Sequence, residues 1–121
     1  MKLNHVDLQV SDVAQARDFF QTHFGFRCVY ERNNLALLED EVGFQLGVSN
    51  LFDSPPPAYP PDFHVGFVLE NESQVRELFD RLKEAGILMK AELSRGGPNV
   101  YFMCVGPDSI SVEVRAPSNE A

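Results

Sequence analysis

The chain has 121 residues and a formal charge of −8, from 18 acidic side chains against 10 basic. That length suits one domain and excludes a separate cofactor domain, while the acidic balance argues against nucleic acid and anionic membranes as partners. A hydrophobic fraction of 44%, with aromatics at 11%, is enough for a folded core and excludes global disorder. No apolar run approaches the ~20 residues of a membrane span. Met1 to His5 carries no apolar signal core, so a cytoplasmic protein is expected. Cys28 and Cys104 are too few for a disulfide framework or a zinc–thiolate site, and read as small buried hydrophobes.

The first predicted strand covers 3–10, with Asn4, Val6, Leu8 and Val10 on one face and Leu3, His5, Asp7 and Gln9 on the other. Ser11-Asp12 offers an N-cap. Val13, Ala16, Phe20 and Phe24 follow at helical spacing, and Gly25 is a natural terminator. Strands are predicted at 27–32, 35–39 and 42–48, with a hairpin at Asn33-Asn34, where Asn tolerates positive φ. In the last of these, Val42, Phe44, Leu46 and Val48 face one way and Gly43, Gln45 and Gly47 the other. Residues 53–62 hold five of the eight prolines and form a stiff connector.

The same order then recurs. A strand places Phe63, Val65, Phe67 and Leu69 opposite His64, Gly66 and Val68. Asn71 or Ser73 caps a helix built on Val75, Leu78, Phe79 and Leu82, and Gly86 ends it. Strands are predicted at about 88–94, 99–105 and 110–115, separated by Gly96-Gly97-Pro98 and Gly106-Pro107-Asp108-Ser109. The Gly96-Gly97 turn is a hairpin and not a phosphate cradle, because no helix follows it. His5-Val6 matches His64-Val65, and Arg17-Asp18-Phe19-Phe20 matches Arg76-Glu77-Leu78-Phe79, both at an offset of 59 residues. The expected fold is therefore α+β: two βαβββ modules, about 1–52 and 63–116, in one domain spanning 1–121. Together they form an open, cupped mixed sheet with the helices on its outer face.

Period-two alternation collects polar side chains on the faces opposite the helices: His5, Asp7 and Gln9; Gln45; His64; and Ser111, Glu113 and Arg115. Two imidazoles and a carboxylate are suitable ligands for one divalent ion, leaving positions open for water or substrate. Any single histidine here also fits a hydrogen-bonded core residue, and Asp7 and Arg115 also fit a simple ion pair with each other. Tyr101 and Met103 fit either the inward face or the core.

This arrangement resembles the vicinal oxygen chelate superfamily, which includes glyoxalase I, fosfomycin-resistance transferases, extradiol dioxygenases and bleomycin-resistance proteins. The resemblance covers roughly residues 2–116. Its strongest segments are Leu3 to Asp12, His64-Val65-Gly66-Phe67, and Gly106 to Val114, which is similar to the family's Asp-Pro-Asp-Gly turn and metal-carrying strand. The resemblance implies that His5, His64 and Glu113 hold a divalent metal (Zn, Ni, Mn, Fe or Co), with Gln45 as a fourth ligand or substrate contact. It further implies that Glu113 and Asp7 do catalytic proton work, and that Arg115, Gln9 and Tyr101 bind substrate.

The expected function is that of a glyoxalase-like metal-dependent lyase or isomerase acting on a small oxygenated metabolite. The alternative is a metal-free drug- or metabolite-binding protein of the bleomycin-resistance kind. A homodimer, possibly module-swapped through the connector, is the expected partner arrangement. Gln9 stands where bacterial glyoxalase I has an Arg that helps hold glutathione, which argues against that thiol. Asp7 stands where fosfomycin enzymes have a Thr, and a carboxylate there repels a phosphonate. Extradiol dioxygenases need a further acid–base His, and His23, the one other histidine, falls on the first helix.

Overall fold

The structure is a computed structural model describing residues 1–119. It divides into two compact units, Met1–Ala58 and Tyr59–Ala121, which meet inside the proline-rich connector. In the first unit the elements are β1 (His5–Gln9), α1 (Val13–Phe24), β2 (Arg27–Arg32), β3 (Leu35–Glu39) and β4 (Gln45–Ser49). They form a four-stranded sheet in the order β1-β4-β3-β2, with β1 and β4 parallel and the other pairs antiparallel. The second unit repeats the plan with β5 (His64–Val68), α2 (Glu72–Glu84), β6 (Met89–Gly96), β7 (Asn99–Val105) and β8 (Ser111–Pro117). Its sheet runs β5-β8-β7-β6, with β5 and β8 parallel. Each unit is thus an open mixed sheet with one helix, as the α+β reading requires.

Local chemistry accounts for the boundaries. Asp12 accepts the Gln15 N–H at 3.0 Å, and Asn71 accepts the Gln74 N–H at 3.0 Å, so both helices open on a capped turn. Of the two candidate caps for α2, Asn71 is the one used. Gly25 closes α1 at φ 71°, a conformation that is strained for residues with a Cβ. The connector contributes no strand. No helix among the described residues is long and apolar enough to cross a membrane.

Alternation builds each core. In the first unit Leu8, Val10, Ala36, Leu38, Leu46 and Val48 are buried together with Val13, Ala16, Phe20 and Phe26. Phe20 meets the Phe26 ring edge-on at 6.0 Å. In the second, Val100, Phe102, Cys104, Ile110, Val112 and Val114 pack with Val75, Leu78 and Leu82, and Phe79 meets Phe102 edge-on at 5.3 Å. Burial pushes the Cys104 thiol up to about 11. Cys28 is only partly covered, unlike Cys104.

Two local expectations are corrected. The strand expected at 42–48 begins at Gln45 instead, because Asp40 Oδ1 accepts the N–H groups of both Val42 and Phe44 and holds 40–44 as a turn. Val42 is consequently 86% exposed and does not share the packing face of Leu46 and Val48. The hairpin does turn at Asn33-Asn34, but neither residue takes positive φ. The β2–β3 register instead contains an irregularity between Cys28 and Tyr30.

The second unit carries a charged brace that alternation did not reveal. Glu72, 4% exposed, receives both Arg95 guanidinium nitrogens at 3.0 and 3.1 Å, Arg76 at 2.9 Å and the Asn119 N–H at 3.2 Å. The Asn119 N–H, then Arg95, then Arg76, hold its carboxyl at about 2, down from 4.5. A carboxyl lowered on folding stabilises the folded chain above its unfolded value and loses that contribution as pH falls. The brace should therefore hold at neutral pH and weaken between pH 4.5 and about 2. Thermal melts followed by circular dichroism should show Glu72→Gln less stable than wild type at pH 7, with the gap closing across that acid window.

Candidate functional site

Each unit presents one polar sheet face opposite its helix. In the first unit β1 turns His5, Asp7 and Gln9 away from the core, all three exposed. The parallel register sets His5 beside Gln45, Asp7 beside Gly47 and Gln9 beside Ser49. β3 extends the rows with Glu39 beside Gln45 and Leu37 beside Gly47. Gln45 Nε2 donates to Glu39 Oε2 at 3.4 Å, so the amide's donor end is engaged on the sheet. Gln9 Nε2 donates to the Pro55 carbonyl at 3.1 Å and ties the connector to β1.

In the second unit β5 presents His64, and the register sets it beside Ser111, with Gly66 beside Glu113 and Val68 beside Arg115. On β7, Tyr101 pairs with Arg115 and Met103 with Glu113, while the alternate residues Val100, Phe102 and Cys104 fill the core. Tyr101 and Met103 therefore share the face of His64 and Glu113. The Tyr101 ring packs on Gly96, where a Cβ would approach Cε1 to 2.9 Å. Glu113 has 18% of its side chain exposed, and Arg115 Nη1 lies 3.9 Å from its Oε1. Gly106 opens the turn before β8 because a Cβ there would come within 2.9 Å of both Ile110 and Val112 Cγ2.

The two histidines are held alike. His5 Nδ1 donates to Asn4 Oδ1 at 2.8 Å, and His64 Nδ1 donates to the Asp62 carbonyl at 2.9 Å. A carbonyl oxygen can only accept, so each contact is made by a ring proton on Nδ1, and Nε2 is the nitrogen not engaged in it. This is how metal-ligating imidazoles are commonly oriented, with the non-ligating nitrogen fixed by an oxygen acceptor. In donor chemistry alone, the two imidazoles and the Glu113 carboxylate are of the types that hold a divalent ion. Among the described residues, no group of three or more His, Cys, Asp or Glu side chains comes together in a way that could hold a metal ion.

Two charged residues escaped the sequence reading. Glu39 lies in the row of His5 and Gln45. Lys90 reaches across β7 so that its Nζ donates to Ser111 Oγ at 3.0 Å and to the Ser109 carbonyl, next to the His64 row. Neither carries a local motif; each is found only once strand order is known.

The family described as Glyoxalase/Bleomycin resistance protein/Dioxygenase superfamily matches residues 2–114. No curated protein matches the chain. Among solved structures, one described as a possible glyoxalase from Bacillus cereus is 36% identical with a TM-score of 0.82, over 94% of this chain and 97% of that one. A lactoylglutathione lyase from Agrobacterium tumefaciens is 17% identical with a TM-score of 0.77, over 95% and 92%. A glyoxalase/dioxygenase from Nostoc punctiforme is 16% identical with a TM-score of 0.81, over 96% and 90%. The last two show likeness of fold alone.

The two glycines of these faces differ in the room above them. A Cβ on Gly47 would collide with the Asp7 carboxylate, whose Cγ would be only 2.8 Å away, whereas a Cβ on Gly66 would meet Glu113 Oε1 at an ordinary 3.7 Å. Urea denaturation should show Gly47→Ala, which makes the exposed Asp7 carboxylate swing aside, less stable than wild type by no more than about 1 kcal/mol, and Gly66→Ala within about 0.5 kcal/mol of wild type.

Proposed function

The chain belongs to the Glyoxalase/Bleomycin resistance protein/Dioxygenase superfamily, and we propose that within it the protein is a metal-dependent lyase or isomerase acting on a small oxygenated metabolite. The observation that carries this reading is the matched pair of imidazoles. Both histidines stand at the same point of the repeated unit, and both are held at Nδ1 by an oxygen acceptor. That is the orientation common to metal-ligating imidazoles, and it supports metal binding over sequestration.

In this reading His5, His64 and Glu113 hold the ion. Bound there, a divalent metal would supply a Lewis acid that stabilises negative charge building on substrate oxygens. Glu113 takes the proton from the carbon beside the substrate carbonyl and returns it to the neighbouring atom. Arg115, its Nη1 3.9 Å from Glu113 Oε1 and its side chain half exposed, offers its donors to a substrate carboxylate. Tyr101, paired across the strand with Arg115, walls the same face and limits water beside the reacting carbon. With its amide nitrogen engaged on the connector, Gln9 serves the shape of that face as well as substrate contact.

Elemental analysis of protein purified without chelators, then equilibrated with Zn²⁺ or Ni²⁺, should find about one ion per chain in the wild type. His5→Ala and His64→Ala should each lose it. Exchange of the α-proton of simple α-hydroxycarbonyl compounds into D₂O, with and without added thiol, should require the metal. Glu113→Gln should slow that exchange by at least about 10²-fold. Wild-type protein that takes up no metal while binding such compounds tightly would overturn the reading in favour of sequestration.

A further inference from the structure

We propose that the first unit carries a binding recess for a small alkylammonium group, with the Asp7 carboxylate as its counter-charge and the Phe52 ring as its wall. The recess has a volume of about 190 Å³, and every residue that lines it belongs to the first unit. The inference therefore needs neither the second unit nor a metal.

The floor follows from the sheet. Asp7 and Gln9 alternate with the buried Leu8 on β1, and Ser49 stands beside Gln9 on β4, so all three share the polar face. Asp7 leans over the bare backbone of Gly47, where an added Cβ would meet its carboxylate. Among the described residues, no ion pair or hydrogen bond engages that carboxylate. Ser49, largely buried, lines the base.

The wall is a braced loop. Asn50 Oδ1 accepts the Ser54 N–H at 2.8 Å, and Asn50 Nδ2 donates to the Ser54 carbonyl at 3.3 Å. The Asn50 N–H donates to the Asn34 carbonyl at 2.9 Å. These bonds close residues 50–54 on themselves and pin them to the β2–β3 hairpin. Gln9, through its bond to the Pro55 carbonyl, holds the exit of the same loop. Phe52 rides on this closed turn, 88% exposed, and adds almost nothing to the core. An aromatic ring held outside the core on a braced loop, beside a carboxylate, is a preorganised surface for a cation.

Chemistry selects the ligand class. No lysine, arginine or histidine lines the recess, so an anion finds no partner there. A metal ion gains little from one carboxylate and a ring, whereas an alkylammonium uses both: its charge meets Asp7 and its methyl or methylene groups cover Phe52. The charge of −8 on the whole chain draws such cations in from a distance.

The probe is choline, titrated into the full chain with and without a chelator and followed by backbone amide NMR shifts. The control is 3,3-dimethylbutan-1-ol, which has the same shape without the charge. Choline should give saturable shifts at residues 7–9 and 49–54 and bind at least about tenfold tighter than the neutral alcohol. Asp7→Asn and Phe52→Leu should each weaken choline at least about threefold, while Phe52→Trp should hold or tighten it. Glu41→Gln removes an exposed acid outside the recess and should stay within about twofold of wild type. Phe52→Leu should melt with the wild type, so that its weaker binding is not a loss of folding. Choline that gives no saturable shifts, choline and the alcohol binding equally, or Asp7→Asn and Phe52→Leu binding choline as the wild type does, would each overturn the recess. With the chelator present these outcomes stand apart from whether the chain holds a metal, so the metal-dependent reading is tested separately.

Discussion

Everything on the polar faces depends on the parallel pairing of the first strand of each unit with its last. A parallel pair cannot be closed by a tight turn, so the chain must cross over, and the helix of each unit lies within that crossover. The helix then claims one face of the sheet. Leu8, Leu46 and Val48 in one unit, and Val112 and Val114 in the other, are buried against it. Because the side-chain period is two, the same pairing that seats these residues sends His5, Asp7, His64 and Glu113 to the opposite face. A slip of one residue would exchange the two sets and bury ionisable groups without partners. The apolar core thus fixes the geometry of the chemical face without touching it.

Much of this was legible from sequence, because it is local. Caps at Asp12 and Asn71, the left-handed Gly25 and the alternation of His64 to Val68 each depend on a few consecutive residues. What stayed hidden depends on contacts distant in the chain or on a side chain competing for backbone. Asp40 took two backbone N–H groups and delayed β4, which turned Val42 into solvent. Alternation put Gln45 and Gly47 on the correct face but could not tell which of them stands beside His5, since that is a matter of register between strands some forty residues apart. Glu39 and Lys90 were missed for the same reason. Of the candidate site, the residue types and faces were readable, and the rows in which they stand were not.

The two units also show how one backbone plan accepts different chemistry. Val13 and Glu72 occupy the same position, the first residue of each helix after its cap, and both are buried. In the first unit the place is filled by an aliphatic side chain. In the second it holds a carboxylate gripped by Arg76, Arg95 and a backbone N–H near the end of the chain. The spacing of Glu72 and Arg76 is visible along one helix, but Arg95 comes from β6 and makes the grip two-pronged. The repeat is therefore strict in topology and loose in side-chain content, and the pairs Asp7–Gly47 and Gly66–Glu113, with acid and glycine on opposite strands of the two parallel pairs, belong to the same pattern.

The contact of Asp7 with the bare backbone of Gly47 couples two positions that lie some forty residues apart in the chain. Any side chain acquired at position 47 has to displace the Asp7 carboxylate from the space it now occupies, so a change at one position is felt at the other. Position 66 carries no such coupling, because the space above it is open to a methyl group. Two halves with one topology therefore differ in which single substitutions each takes without a neighbour moving.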